Sequence, residues 1–298
     1  YNYCNAGFSA LGRLIELRFG GLYDAILRER VLNAIGAARA TALAEEAMLH
    51  RAAVGHYAGP DGKTVLAPLT LLPRACVPAG LSLYATASDL VAFATAHMSA
   101  PEKRTQESPI GAAAARMMRA PQVDLPDGSK WGLGWKLIPG KRTQFFGHDG
   151  GTVGQSAFLW CAPDAKLAIA GCFNGGASLT AYQRIAFPIF EEICDDIPLS
   201  AIPEVQKGEH ELAPYEGNYE NQGITMIVSR RGNRLNVVAK HKYFAMPDTI
   251  FDMGPIGAHR FRATIGDDDK VVTSFAEFDA AGKARLFYAG RLHRRIGA

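Results

Sequence analysis

Two parts of the chain, residues 5–119 and 177–197, contain segments whose apolar residues recur at helical spacing. The pattern predicts helices over residues 5–19, 22–32, 82–98, 112–119 and 177–197. Asn5 is a candidate N-cap of the first helix, and Gly20–Gly21 is a candidate end. In the third helix Thr86 is a candidate cap and Asp89 would lie in the first turn, which favours a capped helix. A turn is predicted at residues 59–62.

The pattern changes to strand-like alternation after residue 130. Four strands are predicted, over residues 131–138, 142–148, 156–162 and 167–174. Beyond a linker rich in Pro and Gly, apolar and polar residues alternate between short turns to the end of the chain, which predicts an all-β region. We therefore expect a boundary near residues 198–213, with one domain over 1–200 and a second over 205–298.

The composition is typical of a globular protein with balanced charge. Of the 298 residues, 48% are hydrophobic and 20% are charged, which is enough apolar material for a core. The net charge of +3 does not indicate a nucleic-acid partner. The longest apolar stretch, residues 156–173, is interrupted by Pro163, Asp164 and Lys166, so no membrane span is expected.

The five cysteines form neither a metal-ligand spacing nor a disulfide framework. Cys161 and Cys172 flank a predicted hairpin turn at Pro163–Asp164, yet they would not lie opposite each other. We expect buried thiols, no metal site and no organic cofactor. The sequence determines neither the oligomeric state nor the cellular compartment.

Two segments carry side chains suited to chemistry. The first contains Tyr3 and Asn5: a phenol can relay protons if a cation lowers its pKa, and an amide can hold a substrate carbonyl. The second, FGHDGGTVG, places His148 before two glycines, where backbone N–H groups could bind an oxyanion. Taken singly, each segment also fits a structural explanation: a capping Asn with a packed Tyr, and a surface His in a glycine-rich turn.

The order of six segments is more informative than any one of them. They are Tyr3-Cys4-Asn5-Ala6-Gly7-Phe8, residues 33–41, Pro78-Ala79-Gly80-Leu81 with Ala85–Leu90, Trp131-Gly132-Leu133-Gly134-Trp135, His148–Gly154 and Leu167–Asn174. In this order they resemble motifs of the serine β-lactamase and penicillin-binding-protein-like family, in the branch of class C β-lactamases, DD-peptidases and esterases. The resemblance covers roughly residues 1–197.

The resemblance implies a fold and an appended domain. The fold is an α/β (α+β) hydrolase with an antiparallel sheet and helices on both faces. It would be incomplete at its N-terminal side, because the family's first strands precede the Tyr-x-Asn motif. Residues 205–298 would form the lipocalin-like, barrel-like all-β domain often appended to this family.

The resemblance also implies a role for each matching residue. Tyr3 would be the general base or proton relay, and Asn5 would bind the substrate. His148 stands where the family often has a Lys, and Gly151 would lend its N–H to the oxyanion hole. The neighbouring Asp149 and Gly150 would contact the substrate.

The family's nucleophile, the Ser of a Ser-x-x-Lys motif, has no match, since no Ser in the chain is followed by Lys three residues later. The implied activity is hydrolysis of an ester, a D-amino-acid peptide or a β-lactam through an acyl-serine. We expect this chain to be an inactive part of such a hydrolase, whose partner is a small-molecule or peptide substrate. The alternative is a non-catalytic binding protein for peptidoglycan fragments or for a protein partner.

Overall fold

The structure is a computed structural model. It describes residues 2–58, 63–68, 71–103, 105, 109–175, 178–198, 203–243, 248–265 and 269–297. The chain divides into two compact units. The α/β unit comprises Cys4–Gln122 and Lys130–Leu199, and the barrel unit comprises Tyr1–Tyr3, Val123–Ser129 and Ser200–Ala298. The predicted turn at 59–62 lies outside the described residues.

The α/β unit contains the five predicted helices and a further short helix that was not predicted. They are α1 Asn5–Phe19, α2 Tyr23–Leu27, α3 Ala44–Ala47, α4 Ala87–Met98, α5 Ala112–Arg119 and α6 Ser178–Cys194. The helix that was not predicted is α3, and α4 begins at Ala87 rather than at residue 82. A π-helical turn, Arg28–Leu32, continues α2, and a 3₁₀ turn covers Arg74–Ala79. Among the described residues no helix is long and apolar enough to cross a membrane.

Local chemistry explains where two of these helices start and stop. The N-cap of α1 is Cys4, whose Sγ accepts from the N–H of Gly7, so the prediction of Asn5 as the cap is wrong by one residue. Gly20 ends α1 in the left-handed region at φ 74°, as the sequence predicts. At α4, Thr86 Oγ1 accepts from the N–H of Asp89 while the Asp89 carboxylate accepts from Thr86 N, which completes a capping box.

The strands of the α/β unit form a short hairpin and an antiparallel sheet. Their bounds are β1 His56–Ala58, β2 Thr64–Leu66, β4 Lys130–Trp131, β5 Lys136–Pro139, β6 Gln144–Thr152, β7 Gln155–Ala162 and β8 Leu167–Phe173. β1 pairs with β2, and β4 to β8 pair in chain order. The segment 131–138 was predicted as one strand, but it is two, because Gly132–Trp135 form a bend in which Gly134 has φ 85°.

Apolar side chains cover both faces of this sheet. On one face Phe145, Phe158 and Trp160 pack with Tyr182 and Phe190 of α6. On the other face a second cluster joins the sheet to α4, through residues Ala94, Trp135, Leu137, Phe146, Leu159 and Cys161. Cys161 is buried as predicted, whereas Cys172 is exposed and so contradicts the prediction. The layered arrangement confirms the predicted fold class of an antiparallel sheet flanked by helices.

The barrel unit consists mainly of antiparallel strands. Its strands are β3 Val123–Asp124, β9 Gly217–Glu220, β10 Ile224–Arg231, β11 Arg234–His241, β12 Thr249–Gly257, β13 Arg260–Ile265, β14 Asp269–Phe278, β15 Ala284–Tyr288 and β16 Leu292–Ile296. A 3₁₀ turn, Ala213–Tyr215, precedes β9. In the described residues β9 to β16 close into an eight-stranded barrel, because β16 pairs back with β9.

The interior of the barrel is packed with large side chains. Tyr219, Met253, Phe261, Phe275 and Phe287 are all buried. The rings of Phe275 and Phe287 stack with their centroids 4.5 Å apart. The predicted all-β, barrel-like C-terminal region is therefore confirmed as a closed barrel with an aromatic core.

Candidate active site

Strand β6 carries the His148 motif and runs further than the sequence suggests. The predicted strand stops at His148, but β6 continues to Thr152 because Asp149, Gly150 and Gly151 all pair with β7. Gly147 is required at its position, since a Cβ there would lie 2.3 Å from Leu159 O and 2.6 Å from the Trp160 ring. Gly147, Gly150 and Gly151 therefore lie within a regular strand, whereas Gly154 lies in the turn that follows it, at φ 65°.

The direction of the hydrogen bonds along β6 follows from its turn with β5. Gly140 N donates to Thr143 O at 2.8 Å, so this pair closes the turn. Hydrogen-bonded pairs alternate with non-bonded pairs in an antiparallel ladder, so odd-numbered residues of β6 direct their backbone N–H and C=O groups toward β5. β5 ends opposite Gly147. The backbone groups of Asp149 and Gly151 therefore lie along the edge of β6, beyond the end of β5.

This edge is accessible at the glycines. Gly150 and Gly151 are exposed, and a Cβ built on Gly151 would meet no atom within 4 Å. A ligand could thus approach the Gly151 N–H closely, as oxyanion binding requires. The same edge could also receive an extended peptide as an additional strand.

The side chains of His148 and Asp149 point to opposite faces of the sheet, because successive residues of a strand alternate. The Asp149 carboxylate accepts a hydrogen bond from Trp160 Nε1 at 2.8 Å on the α6 face. Although the residue as a whole is exposed, desolvation near this buried ring raises the pKa of Asp149, against the opposing effects of Trp160, Lys136 and His148. Asp149 therefore offers its backbone to the β6 edge, while its side chain is engaged elsewhere.

His148 is half-buried beside an aromatic ring. The Trp131 and His148 ring centroids lie 5.3 Å apart, at an interplanar angle of 59°. His148 Nδ1 contacts the Asp149 carbonyl oxygen, which can only accept, so Nδ1 carries the proton in this arrangement. Trp131 was not predicted as a site residue, and the WGLGW segment that contains it was the available signal for its contact with His148.

Asn5 is the first residue of α1 and is half-buried. Because Cys4 provides the cap, the Asn5 amide is not needed to complete the helix N-terminus. The structural explanation considered above for Asn5, a capping role, therefore does not apply. Its amide can serve as donor and acceptor for a ligand.

Tyr3 clusters with the barrel unit. The guanidinium of Arg291 lies over its ring, 5.7 Å from the centroid. Burial raises the pKa of Tyr3, and the positive charge of Arg291 opposes that rise. Next to it, the Asn2 side-chain oxygen accepts from Leu292 N at 3.1 Å, which ties the first residues to the start of β16. No local pattern predicts this contact, since the residues are far apart in the chain.

The predicted site residues thus occupy three places. His148, Asp149, Gly150 and Gly151 share β6, Asn5 begins α1, and Tyr3 lies with the barrel unit. Among the described residues no group of three His, Cys, Asp or Glu side chains is arranged to hold a metal ion.

The barrel unit has a cavity of its own, with a volume of about 280 Å³. It is lined by residues of 206–215 and 255–261. In it the Tyr215 hydroxyl and His259 Nδ1 lie 3.1 Å apart, and Tyr215 packs edge-on against Phe261. The cavity lies in segments outside the two motifs that the sequence analysis selected.

Comparison with known proteins identifies related sequences. A family model described as Beta-lactamase matches residues 1–190. Penicillin-binding protein 4 of Amycolatopsis lactamdurans is 30% identical over 233 residues, which cover 74% of this chain and 60% of that protein. A D-aminopeptidase of Brucella anthropi is 28% identical over 187 residues, covering 61% of this chain and 34% of that protein. The chain thus spans well under two thirds of the length of these relatives.

A solved structure resembles nearly the whole chain. The crystal structure of SurE matches with a TM-score of 0.69 at 22% identity, covering 99% of this chain and 68% of that chain. At this level of identity the match shows a shared fold. It extends over both compact units, since almost all residues are covered.

Proposed function

This chain belongs to the beta-lactamase family, and on that basis we propose that residues 1–197 form the part of an acyl-transferring serine hydrolase that carries the Tyr-x-Asn and His-x-Gly motifs. The related penicillin-binding protein and D-aminopeptidase support a function related to serine hydrolases. The observation that carries the proposal is the accessible edge of β6. There the N–H of Gly151 lies along the strand that presents His148.

Each residue has a role set by its chemistry. A serine hydroxyl would attack the substrate carbonyl, and Gly151 N–H would bind the oxyanion that forms. Tyr3 would relay the proton from that hydroxyl to the leaving amine or alcohol, and water would then release the acyl group from the serine. Asn5 would hold the substrate's amide or carbonyl, and His148 would polarise the phenol or meet a substrate carboxylate. Asp149 would contact the substrate through its backbone at the β6 edge, and Gly150 through the exposed surface that it leaves without a side chain.

For the substrate we propose an amide or peptide of a D-amino acid. The Brucella relative is named a D-aminopeptidase, and another solved structure that covers 65% of this chain with a TM-score of 0.51 is a D-stereospecific amidohydrolase from Streptomyces. An extended peptide also suits the edge of β6, where it would add as a strand. A β-lactam or a small ester is the less favoured substrate, since neither is an extended chain of peptide units that could add to that edge as a strand.

We further propose that the 298-residue chain by itself does not form an acyl-enzyme. The support is that no Ser in it is followed by Lys three residues later, so the activated nucleophile of the family has no counterpart here. Tyr3, Asn5 and His148 would then be able to assist a serine nucleophile only if another source supplied it.

Covalent labelling tests the proposed inactivity. The chain is incubated with a fluorescent fluorophosphonate and with a fluorescent penicillin, beside the Amycolatopsis penicillin-binding protein as a positive control, and fluorescence is read after denaturing electrophoresis. We expect a labelled control and an unlabelled chain. Labelling of the chain at any Ser would contradict the proposal.

A binding experiment tests the substrate site separately. An N-acetylated D-alanyl amide and its L-enantiomer are titrated into ¹⁵N-labelled chain, and amide shifts are followed. We expect the D-form to shift Gly150 and Gly151 more than the L-form, and His148→Gln to weaken that response. Equal responses to both enantiomers would overturn the substrate class. Tight binding of peptidoglycan fragments without any labelling would favour the alternative, a non-catalytic binding protein.

A further inference from the structure

The contact between Tyr3 and Arg291 links the two ends of the chain. Arg291 directly precedes β16, and its guanidinium stands over the Tyr3 ring, 5.7 Å from the centroid. The hydrogen bond from Leu292 N to the Asn2 side chain, 3.1 Å long, holds the neighbouring residues in register. Tyr3 is half-buried, so its ring has a fixed environment.

From this geometry we infer that Arg291 is a positioning residue for Tyr3, which orients the phenol ring and stabilises its anionic form. The inference rests on the proposed function, because it gives that function to Tyr3. It assigns to the barrel unit a contribution to the proton relay that neither the sequence motifs nor the comparisons assign.

The first argument is the need for a permanent positive charge. A phenol with its ordinary pKa near 10 is a poor base at neutral pH, and a cation nearby is the direct means of lowering that pKa. At the position where the family often has Lys, this chain has His148. Histidine side chains generally lose their charge near neutral pH, whereas an Arg guanidinium stays charged. Arg291 therefore supplies a positive charge that persists at neutral pH, where histidine side chains generally lose theirs.

The second argument is that Arg291 is suited to hold an aromatic ring. A planar guanidinium over a ring face gains cation–π attraction, which a Lys ammonium matches less well in shape. The Asn2–Leu292 hydrogen bond adds a second restraint one residue away from Tyr3. Together they fix both the position and the orientation of the ring.

The charges around Arg291 allow it to act on Tyr3. His293, two residues along β16, is buried, and burial lowers its pKa, with Arg291 contributing in the same direction. His293 is therefore neutral at neutral pH. Burial raises the pKa of Tyr3 overall, so Arg291 limits that rise without reversing it. A full assembly would need a further cation to make Tyr3 a base at neutral pH, which agrees with the proposed inactivity of this chain alone.

The experiment measures the ionisation of Tyr3 directly and needs no activity. The chain is labelled with [ζ-¹³C]tyrosine, the Tyr3 resonance is identified by its loss in Tyr3→Phe, and its shift is followed with rising pH. In Arg291→Gln we expect the Tyr3 pKa to rise by about 0.5 to 1, from Coulomb's law at this separation in a partly solvated site. In Arg291→Lys we expect less than half of that rise, together with a broader resonance.

The matched control is Arg294→Gln, an exposed arginine on the same strand. It removes the same charge from the unit, and we expect the Tyr3 pKa to stay unchanged. Circular dichroism at each pH verifies that every variant remains folded. Asn2→Ala keeps the charge and loosens the restraint, so we expect a smaller rise in pKa than in Arg291→Gln.

An unchanged Tyr3 pKa in folded Arg291→Gln would overturn the inference, as would an equal rise in Arg294→Gln. Either result would leave the proposed function standing, since that depends on labelling and on D-amino-acid binding. Conversely, failure of the labelling or binding experiments would leave the measured Arg291–Tyr3 coupling intact.

Discussion

The two units of this protein differ in how completely their strand edges are paired and their apolar side chains are buried. In the barrel unit, β9 to β16 form a closed ring in which every strand has a neighbour on each side. In the α/β unit, β8 is an end strand of its sheet among the described residues. The apolar side chains of α1 are also open to solvent: Leu11, Leu14 and Leu17 are 51%, 59% and 65% exposed. A closed barrel has no unpaired strand edge, whereas the end strand of an open sheet presents backbone N–H and C=O groups that another segment or chain can pair with.

The chain offers a reporter that separates the two units. The chain contains three Trp residues, Trp131, Trp135 and Trp160, and all of them belong to the α/β unit. Tryptophan fluorescence therefore follows the unfolding of that unit alone, while the Tyr219 resonance of chain labelled with [ζ-¹³C]tyrosine follows the barrel, where this side chain is buried. We expect the fluorescence transition to occur at lower denaturant concentration than the barrel transition, because the barrel buries its core more completely.

The largest effect is expected from a hole in the barrel core. Phe287 is fully buried and stacks on Phe275, so Phe287→Ala removes a ring from a packed interior. We expect a loss of about 3–5 kcal/mol in the free energy of unfolding of the barrel. The measurement is denaturant unfolding followed by the Tyr219 resonance, with Tyr243→Ala, at a 74% exposed position, as the control. An equal shift of the Trp transition would show that the two units do not unfold separately.

The next effect concerns a buried histidine in the α/β unit. The His97 ring packs 4.8 Å from Phe93 and 5.0 Å from Trp135, and neither ring nitrogen has a hydrogen-bond partner among the described residues. Burial, with a further contribution from Arg119, lowers the pKa of His97 to about 4. The unfolded chain takes up this proton near pH 6.5, so the α/β unit is fully stable above that pH and loses stability as the pH falls toward 4. The loss amounts to about 3 kcal/mol.

The variant His97→Phe isolates this effect. It keeps a ring at the position and removes the titratable group, so the dependence of stability on pH between about 6.5 and 4 should largely disappear. Urea midpoints from Trp fluorescence at several pH values measure it. His50→Phe, at an exposed position, is the control and should retain the wild-type dependence. A pH dependence that persists unchanged in His97→Phe would refute the explanation.

A smaller effect is expected at the carboxylate that closes the β5–β6 turn. Asp196 accepts hydrogen bonds from the backbone N–H groups of Lys141, Arg142, Thr143 and Ile197 at 2.7–3.0 Å. Burial acts to raise the pKa of Asp196, but these four bonds outweigh it and lower the pKa. The stabilisation is therefore complete above about pH 4 and is lost as the pH falls further. We expect Asp196→Asn to cost about 2 kcal/mol at neutral pH.

The neighbouring acid gives the control for this change. Asp195 is 72% exposed and pairs with Arg142 at the surface. Asp195→Asn removes the same charge, and we expect a change within about 0.5 kcal/mol. Trp fluorescence during urea unfolding compares the two variants. Equal losses in both would mean that net charge, and not the backbone hydrogen bonds, accounts for the effect.

The distance along the chain between interacting residues explains which features the sequence could predict. Helices α1 and α5 have the predicted bounds, and a hydroxyl cap with an acid in the first turn of α4 was predicted, because these features depend on residues within a few positions of each other. The extension of β6 to Thr152 was missed, since the glycines there form a strand only by pairing with β7. The Arg291–Tyr3 contact joins residues almost a chain length apart, and local patterns carry no information about it.

The smallest effect on folding is expected at the exposed apolar face of α1. This change tests the difference between the two units most directly, because it removes apolar side chains that the α/β unit leaves open to solvent. Replacing Leu14 and Leu17 together by Gln removes exposed apolar area without touching a core, so the free energy of unfolding should change by less than about 0.5 kcal/mol per site. Concentration-dependent self-association, measured by sedimentation velocity, should decrease, because exposed apolar patches promote association. Ile250→Gln, at a 63% exposed position of the barrel, should leave association unchanged. If Ile250→Gln reduced it equally, exposed area in general, and not the open face of the α/β unit, would be responsible.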